Sequence, residues 1–265
     1  MPNIIVYTCV TNDYDWVLPP VWRSLNIKFI LFTDNPKTKV KGWEVRLLPS
    51  VPGLSSGNLA NRYCKFFPWR ILPEHDWSIY IDANVRLLAD PTPIINDAEH
   101  RGFDIALFTH PNRSNIWQEA EACKKLCKIS GEEWESLDKQ LQRYRNKGFS
   151  SKSGLTENNV IFRSRESMQL VSAMELWWEE LLGGVKRDQI SLPYVLWTLK
   201  KPVHRLLFSA KNRNPYFRVV SHRQGKSLSN YLEARRYHSA GWKGLYLAKW
   251  MVSGVKRRML KKLYK

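Results

Sequence analysis

The sequence predicts an α/β fold: an open sheet flanked by helices. Over the first 200 residues, apolar runs rich in β-branched and aromatic residues alternate with longer helical patterns. The apolar runs are continuous, which is typical of strands that are buried on both faces of a parallel sheet. Polar loops such as 11–13 and 34–36 follow these runs. In an open α/β sheet, ligands bind beyond such strand ends, so we expect the functional residues there.

The expected strands follow from these apolar runs. The run Ile4–Val10 opens the chain, a second run covers 28–33, and a shorter one covers 43–48. The run at 77–81 leads directly into Asp82. The remaining predicted strands are 104–109, 158–163, a segment near 206–208, and 217–220.

The expected helices lie between these strands. A turn-rich segment, 49–57, precedes a helical pattern at 58–72. A charged pattern from 114 to 146 predicts two helices with a break near Ser130, and the Gly/Ser/Lys segment 147–154 predicts a loop. Further helices are expected at 166–182 and 188–199. We expect one domain over residues 1–230, with halves of about 1–110 and 111–230, followed by a basic helical extension over 231–265.

Composition excludes several classes of protein. With 43% hydrophobic residues and 12 Trp among 265 residues, the chain is not disordered. The sequence contains no apolar run long enough to cross a bilayer, and its first residues predict a strand rather than a signal peptide. We therefore expect a cytoplasmic protein. Of the four cysteines only Cys123 and Cys127 are close in sequence, which favours reduced thiols over a zinc site.

The positive charge is concentrated at the C-terminal end. Residues 1–199 hold 24 Lys and Arg against 23 Asp and Glu, whereas residues 200–265 hold 18 against one. We expect such a segment to bind an anionic partner: a phosphate, a nucleic acid or an acidic lipid. No nucleic-acid-binding motif is recognised, so we expect no nucleic acid partner. Residues 235–265 form an imperfect amphipathic pattern, which predicts an interfacial helix on an anionic membrane; the alternative is a helix packed on the domain.

The segment Asp82-Ala-Asn84 is a candidate metal site. It follows an apolar strand, and residues i and i+2 of an extended chain point the same way, so both side-chain oxygens could face one hard cation. Mg²⁺ or Mn²⁺ completed by a substrate diphosphate fits that arrangement. The alternative is an ordinary turn at a strand end, in which these side chains cap the next segment.

Three other groups of polar residues are candidates. Asp188 and Gln189 open the helix 188–199, where Asp188 is expected to cap the helix or, alternatively, to act in catalysis. Arg62 and Lys65 are neighbours on one helix face and could clamp a phosphate, or could simply be solvated. His110 and Arg113 follow the strand 104–109.

Six blocks carry a resemblance to a known family. They are IIVYTCVTNDYD, KFILFTD, NRYCKFFPWRILPEHDWSIYIDANVRLLADP, HPNRSNIWQEAEAC, GLTENNVIFR and RDQISLPYVLWTLK, in this order over residues 3–200. Together they resemble the glycosyltransferase-like domain family long catalogued as a domain of unknown function. Its plant members are linked to pectin and mucilage and its bacterial members to surface polysaccharide. The resemblance implies a GT-A fold, an open mixed sheet with a donor half and an acceptor half.

The resemblance also implies roles for individual residues. Asp82 and Asn84 match the acidic motif that holds Mn²⁺ or Mg²⁺ on the donor diphosphate, although Asn84 removes one negative charge, and His222 resembles a late histidine that completes the metal coordination. The residues expected to receive the base and ribose are Thr8, Thr11, Asp13, Tyr14 and Asp34. The residues expected to face the diphosphate are Arg62 and Lys65. The residues expected to contact the sugar or acceptor are His110, Arg113, Asn158, Asn159, Asp188 and Gln189.

These matches predict a metal-dependent glycosyltransferase. It would move a sugar from a nucleotide-diphosphate donor, UDP-linked, to a glycan or lipid-linked glycan in surface polysaccharide or lipopolysaccharide synthesis, at the periphery of the cytoplasmic membrane. A catalytic base at Asp188 would invert the anomeric centre, whereas an Asp-Gln pair that only positions substrates would retain it, the outcome we favour. One rival is a nucleic-acid-binding protein that uses the basic end. Another is a lipid-processing hydrolase, but the zinc-hydrolase pattern HExxH does not occur.

Overall fold

The computed structural model describes residues 2–51, 54, 57–165, 167–212, 214–220 and 222. The chain divides into two units, Met1–Val219 and Val220–Lys265. All helices and strands given below lie in the first unit, and the described residues of the second unit are Val220 and His222. The predicted basic helix over 231–265 lies outside the described residues.

A mixed sheet forms the centre of the first unit. Its strands are β1 (Ile4–Val10), β2 (Ile27–Thr33), β3 (Glu44–Leu47), β4 (Trp77–Ile81), β6 (Ile105–Thr109), β7 (Thr156–Ser164) and β8 (His204–Leu206), and a separate pair is β5 (Val85–Leu87) with β9 (Phe217–Val219). The order across the sheet is β3-β2-β1-β4-β7-β6-β8. All neighbours pair in parallel except β7, which runs antiparallel between β4 and β6.

Helices cover both faces of this sheet. They are α1 (Gly57–Phe66), α2 (Pro68–Ile71), α3 (Thr92–His100), α4 (Ile116–Lys125), α5 (Glu132–Asn146), α6 (Met168–Leu182) and α7 (Asp188–Thr198). Alternate residues of β1 reach opposite faces: Ile4 and Val6 pack in the core cluster that includes α3, and Ile5 and Tyr7 pack in the cluster that includes α1, α6 and α7. A third cluster joins α4, α5 and α7. The predicted open mixed sheet flanked by helices is confirmed.

Several local expectations were wrong. The segment 58–72 is not one helix, because Pro68 has no backbone N–H and starts the separate helix α2. The strand β5 was not predicted; it is three residues long and pairs with β9. The strand expected near 206–208 lies at His204–Leu206, and the loop at 147–154 contains a 3₁₀ turn at Ser151–Ser153. The helix expected from 166 begins at Met168, where the Ser167 side chain accepts a hydrogen bond from the Leu170 N–H.

The topology brings several loops to one edge of the sheet. The strands β1, β2, β4 and β6 are parallel, so the loops after them emerge at the same edge. Because β7 is antiparallel, it begins there, and Thr156 pairs with Thr109 at the end of β6. This edge is the one at which an open α/β sheet binds its ligands.

Candidate functional site

A buried lysine joins two carboxylates at this edge. Lys65 lies on α1, Asp82 follows β4, and Asp188 is the first residue of α7. The Nζ atom of Lys65 is 2.6 Å from Oδ2 of Asp188 and 3.6 Å from Oδ1 of Asp82. It also lies 5.0 Å from the centre of the Tyr80 ring. Only 2% of the Lys65 side chain is exposed, against 35% for Asp82, so the cluster reaches solvent on the Asp82 side.

Contacts with the sheet hold α1, and with it Lys65, in place. Asn61 donates a side-chain hydrogen bond to the Cys9 carbonyl at the end of β1, at 2.6 Å. The Tyr7 hydroxyl donates to the Lys65 carbonyl at 3.2 Å and itself accepts from Arg163. Arg163 is wholly buried, and burial lowers its pKa from the ordinary value. The expectation that Arg62 and Lys65 could be a solvated helix face is therefore wrong for Lys65.

Asp188 does not cap its helix. The N-cap residue of α7 is Arg187, with no side-chain capping bond, and the Asp188 carboxylate pairs with Lys65. The cap expectation was wrong because a long-range ion pair uses the carboxylate. Burial opposes ionisation of this carboxyl, but the charges of Lys65, Arg62 and Arg187 outweigh burial and hold its pKa well below the ordinary value. Asp188 is thus a fixed negative charge at neutral pH.

Arg62 belongs to the same electrostatic group. Burial acts to lower its pKa, but the nearby acidic groups, Asp188 first and then Tyr80 and Asp82, raise it above the ordinary value. Its guanidinium lies 3.4 Å from the Asn61 side-chain oxygen, to which it donates. Two cations therefore face two carboxylates beyond β4, and the expected contact of Arg62 and Lys65 with a diphosphate stays a prediction.

The loops that follow β1 and β2 are tied together. The backbone N–H of Asn12 donates to the Asp34 carboxylate at 2.8 Å, and the Asn35 side chain donates to Asp13 at 3.5 Å. Thr11 donates to the Gly57 carbonyl at the start of α1, at 3.1 Å. A Cβ at Gly57 would lie 2.7 Å from the Asn12 side-chain nitrogen and 3.1 Å from the Thr11 Cβ, so a larger residue would displace these side chains.

The residues expected to receive the nucleoside differ in accessibility. Thr8 and Thr11 are buried, whereas half of Tyr14 is exposed. The hydroxyl of Thr8 has no hydrogen-bond partner among the described residues. The structure brings the predicted residues of the first two loops together, and their contact with base and ribose stays a prediction.

Residues 82–85 form a turn instead of an extended chain. The Val85 N–H donates to the Asp82 carbonyl at 2.8 Å, and the Asp82 N–H donates to the Asn159 carbonyl at 2.8 Å. Asn84 is buried, with 5% exposed. The premise that Asp82 and Asn84 point the same way from an extended chain is therefore wrong. The turn leaves the Asp82 carboxylate as the accessible oxygen ligand.

The start of β7 places further polar atoms beside Asp82. Thr156 donates to the Asn158 side-chain oxygen at 3.1 Å, and Gln189 donates to the Thr156 carbonyl at 3.2 Å. Within the described part of the chain, the buried side-chain nitrogen of Asn158 and the buried side-chain oxygen of Asn159 have no hydrogen-bond partner. Such orphaned polar atoms cost free energy, which is recovered when a polar ligand pairs with them.

A second polar cluster adjoins the first through Arg187. Glu119 on α4 is wholly buried and forms ion pairs with Arg113 and with Arg187, the latter at 3.6 Å. His110 lies 2.9 Å from the Arg113 guanidinium. Roles for Glu119 and Arg187 were not predicted from the sequence. Their signals were the position of Arg187 directly before Asp188, and an acidic residue in the first turn of a helix that follows a strand end.

The oxygen ligands beyond β4 suit a hard divalent cation. Asp82 offers an accessible carboxylate, a donor type that Mg²⁺ and Mn²⁺ prefer, whereas the amide of Asn84 is buried. The described residues contain no group of three or more His, Cys, Asp or Glu that could hold a metal ion. Metal binding at Asp82 stays a prediction. His222 is exposed and lies in the second unit, so its predicted metal role stays a prediction.

Comparison with known proteins places the chain in a family. Residues 2–222 match the model of the TOD1/MUCI70 glycosyltransferase-like domain. A curated relative from Arabidopsis thaliana, named "Probable hexosyltransferase MUCI70", is 28% identical over 219 residues, which cover 73% of this chain and 37% of that protein. The chain thus spans little more than a third of that relative's length. The family resemblance drawn from the six sequence blocks is confirmed: this chain belongs to the TOD1/MUCI70 glycosyltransferase-like domain family.

Proposed function

We propose that this protein is a glycosyltransferase that moves a hexose from a nucleotide-diphosphate donor, UDP-linked, to a glycan or lipid-linked glycan. The observation that carries this proposal is the buried Lys65 between Asp82 and Asp188, with Arg62 beside it, at the ligand-binding edge of a glycosyltransferase-like domain. The name of the plant relative, a hexosyltransferase, supports the choice of sugar.

The cations of α1 would bind the donor diphosphate. Lys65 is fixed by two carboxylates, and Arg62 lies next to it, half-buried. A diphosphate that enters beside Asp82 would meet both positive charges, which stabilise the charge that develops on the leaving nucleotide. The tied loops after β1 and β2 would receive base and ribose, with Asp34 and Tyr14 as accessible groups.

The electrostatics of Asp188 favour retention of the anomeric configuration. An efficient general base has a pKa near the working pH, whereas the pKa of Asp188 is held far below its ordinary value. A carboxylate that stays ionised is better suited to stabilise positive charge on the sugar ring than to remove a proton from the acceptor. Gln189, anchored on the Thr156 carbonyl, would orient substrate hydroxyls at the same helix start.

We further propose that a divalent cation assists at Asp82, with Asn84 as an additional candidate ligand. When bound, Mn²⁺ or Mg²⁺ would neutralise charge on the donor diphosphate. The accessible carboxylate and the orphaned side-chain atoms of Asn158 and Asn159 support a polar ligand at this place.

The experiment that tests the function is a screen of nucleotide sugars by thermal shift, with and without Mn²⁺, followed by product detection with each stabilising donor. A UDP-hexose should raise the melting temperature clearly when Mn²⁺ is present and weakly when it is absent, since ligand binding stabilises the folded state. A protein that no nucleotide sugar stabilises under either condition would contradict the proposal.

A further inference from the structure

The second polar cluster has more positive than negative charge. Glu119 is its buried carboxylate, and both arginines that contact it, Arg113 and Arg187, keep part of their side chains exposed, 18% and 23%. The Cys123 thiol donates to the same carboxylate at 3.4 Å. One buried negative charge thus fixes two guanidinium groups; Arg187 also faces Asp188, but it shares that carboxylate with Lys65 and Arg62.

Two of the groups near this cluster, Lys128 and Lys211, carry positive charge. Burial first, and then the charges of Arg113, Lys211 and Lys128, lower the pKa of His110 to about 4 against the opposing effect of Glu119. His110 is therefore neutral at physiological pH and adds no charge of its own. Burial and the two arginines likewise lower the pKa of Lys128, although Glu119 opposes them. Lys211 also lies 3.7 Å from Glu157, so it is partly compensated.

Like charges held together without compensation cost free energy, which an anion can recover. A guanidinium presents a planar fork of N–H donors that matches a carboxylate or a phosphate, and fixing two such groups in advance reduces the entropy lost on binding. The buried Nε donor of Arg187 has no hydrogen-bond partner within the described ranges, so Glu119 does not use the whole group.

The position of Arg187 connects this cluster to the reaction centre. Arg187 directly precedes Asp188, so the two side chains start from neighbouring Cα atoms, about 3.8 Å apart. A sugar that contacts Asp188 could therefore place a substituent against Arg187. Arg62 and Lys65, which would hold the diphosphate, lie with Asp188 and Asp82 instead.

We propose that Arg113 and Arg187, positioned by Glu119, form a subsite for an anionic group, a carboxylate or phosphate, carried by a sugar substrate. This subsite rests on the proposed function and adds to it the substrate class, an acidic sugar. The acidic sugar could be the one transferred or one in the acceptor, and the same cluster would recognise its anionic group in either case.

Binding measurements with matched probes test this subsite. Isothermal titration would compare UDP-glucuronate with UDP-glucose, and, in protein saturated with UDP, glucuronate and glucose 6-phosphate with glucose. The variants are Arg113→Gln and Arg187→Gln, and the matched control is Arg145→Gln, an exposed arginine that lies over the Trp117 ring. The affinity for UDP itself serves as a check that each variant is folded.

In the wild type, at least one anionic probe should bind about tenfold or more tightly than its neutral counterpart, since hydrogen bonds to charged groups are the strong ones. Preference in the first comparison would assign the group to the donor sugar, and preference in the second to the acceptor. Arg113→Gln and Arg187→Gln should lose that preference and keep UDP affinity, while Arg145→Gln should keep both.

Two results would overturn the subsite: equal binding of charged and neutral probes in both comparisons, or a preference that survives in both arginine variants. Wild-type protein that binds no UDP would instead contradict the proposed function. Anionic-sugar binding that depends on Arg113 and Arg187 would still support the subsite in that case.

Discussion

Lys65 and Asp188 form the electrostatic centre of the candidate site. Both side chains are almost wholly buried and lie 2.6 Å apart. Because water does not reach them, each charge is compensated by the other. Removing one partner of a buried pair leaves an uncompensated charge, which typically costs about 3–5 kcal/mol. Here Asp82 at 3.6 Å supplies a second negative charge, so Lys65 keeps one partner if Asp188 is changed.

The substitution Asp188→Asn separates catalysis from structure. We expect kcat to fall by about 100-fold or more with UDP affinity little changed, because the amide keeps the shape of the side chain but not its charge. Steady-state kinetics and UDP titration measure the two quantities. Asp138→Asn, at an exposed ion pair with Lys124, is the control and should leave kcat unchanged. Full activity in Asp188→Asn would remove this carboxylate from the mechanism.

The lowered pKa of His110 makes the folding stability of the protein depend on pH. Its pKa is lowered to about 4 in the folded protein, from an ordinary value of about 6.5, first by burial and then by the charge of Arg113. The unfolded chain therefore takes up a proton first as pH falls, and folding stability declines between about pH 6.5 and 4.

Urea unfolding at several pH values measures this contribution. The wild type should lose on the order of 3 kcal/mol across that window relative to His110→Gln, and the difference between the two proteins should be constant above about pH 7. An NMR titration of His110 with a midpoint near 6.5 would contradict the account.

At the scale of secondary structure, Asn61 is the link that places α1 on the sheet. Its side chain donates to the Cys9 carbonyl at 2.6 Å, and α1 carries both Arg62 and Lys65. We expect Asn61→Ala to reduce folding stability by about 1 kcal/mol and to weaken UDP binding, because the helix loses its attachment to the end of β1.

Urea unfolding and UDP titration check these two effects. Asn146→Ala, at the exposed end of α5, is the control and should change neither quantity beyond a few tenths of a kcal/mol. Unchanged UDP affinity in a destabilised Asn61→Ala would show that the position of α1 does not matter for the donor.

The sequence predicted strands better than it predicted the details of the site. Ile4–Val10 and Trp77–Ile81 were predicted with their observed bounds, since continuous apolar runs buried on both faces carry a strong local signal. The position of polar groups at the sheet edge also followed from strand direction alone. The break at Pro68 was missed because the helical pattern continues on both sides of it.

Contacts between residues that are distant in sequence determine the position of several site residues, and a local sequence pattern does not show such contacts. Asp188 has the sequence signature of a helix cap, but Lys65, 123 residues away, takes its carboxylate. At the turn 82–85, the Asp82 N–H donates to the carbonyl of Asn159, which is also remote in sequence. The buried Glu119 pairs with Arg187, which is remote in sequence, as well as with the nearby Arg113.

For the whole molecule, the distribution of charge predicts attachment to a membrane surface. The family match ends at residue 222, and residues 200–265 hold 18 of the 42 Lys and Arg. Among the described residues, no helix combines the length and apolarity needed to cross a bilayer. We propose that the basic segment 235–265 holds the enzyme on an anionic membrane, where a lipid-linked acceptor would lie, at about 1 kcal/mol per basic residue near the surface.

Vesicle co-sedimentation tests this attachment. The full chain should bind vesicles that contain anionic lipid, and less so at high salt, whereas neutral vesicles should bind little of it. A chain that ends after residue 240 should lose most of the binding, because it lacks eight of the ten basic residues at 235–265. Equal sedimentation of both forms would exclude the segment as an anchor.

The central claim is that the donor diphosphate binds beside Asp82 and that sugar transfer takes place there, next to Lys65 and Asp188. The most direct measurement is turnover of the stabilising UDP-sugar by the wild type and by Asp82→Ala, each with and without Mn²⁺, with Asp138→Ala as the control. We predict that the wild type and Asp138→Ala turn over and respond to Mn²⁺, while Asp82→Ala remains folded and loses both turnover and the Mn²⁺ response. An Asp82→Ala protein with full, Mn²⁺-responsive activity would contradict this location of the site.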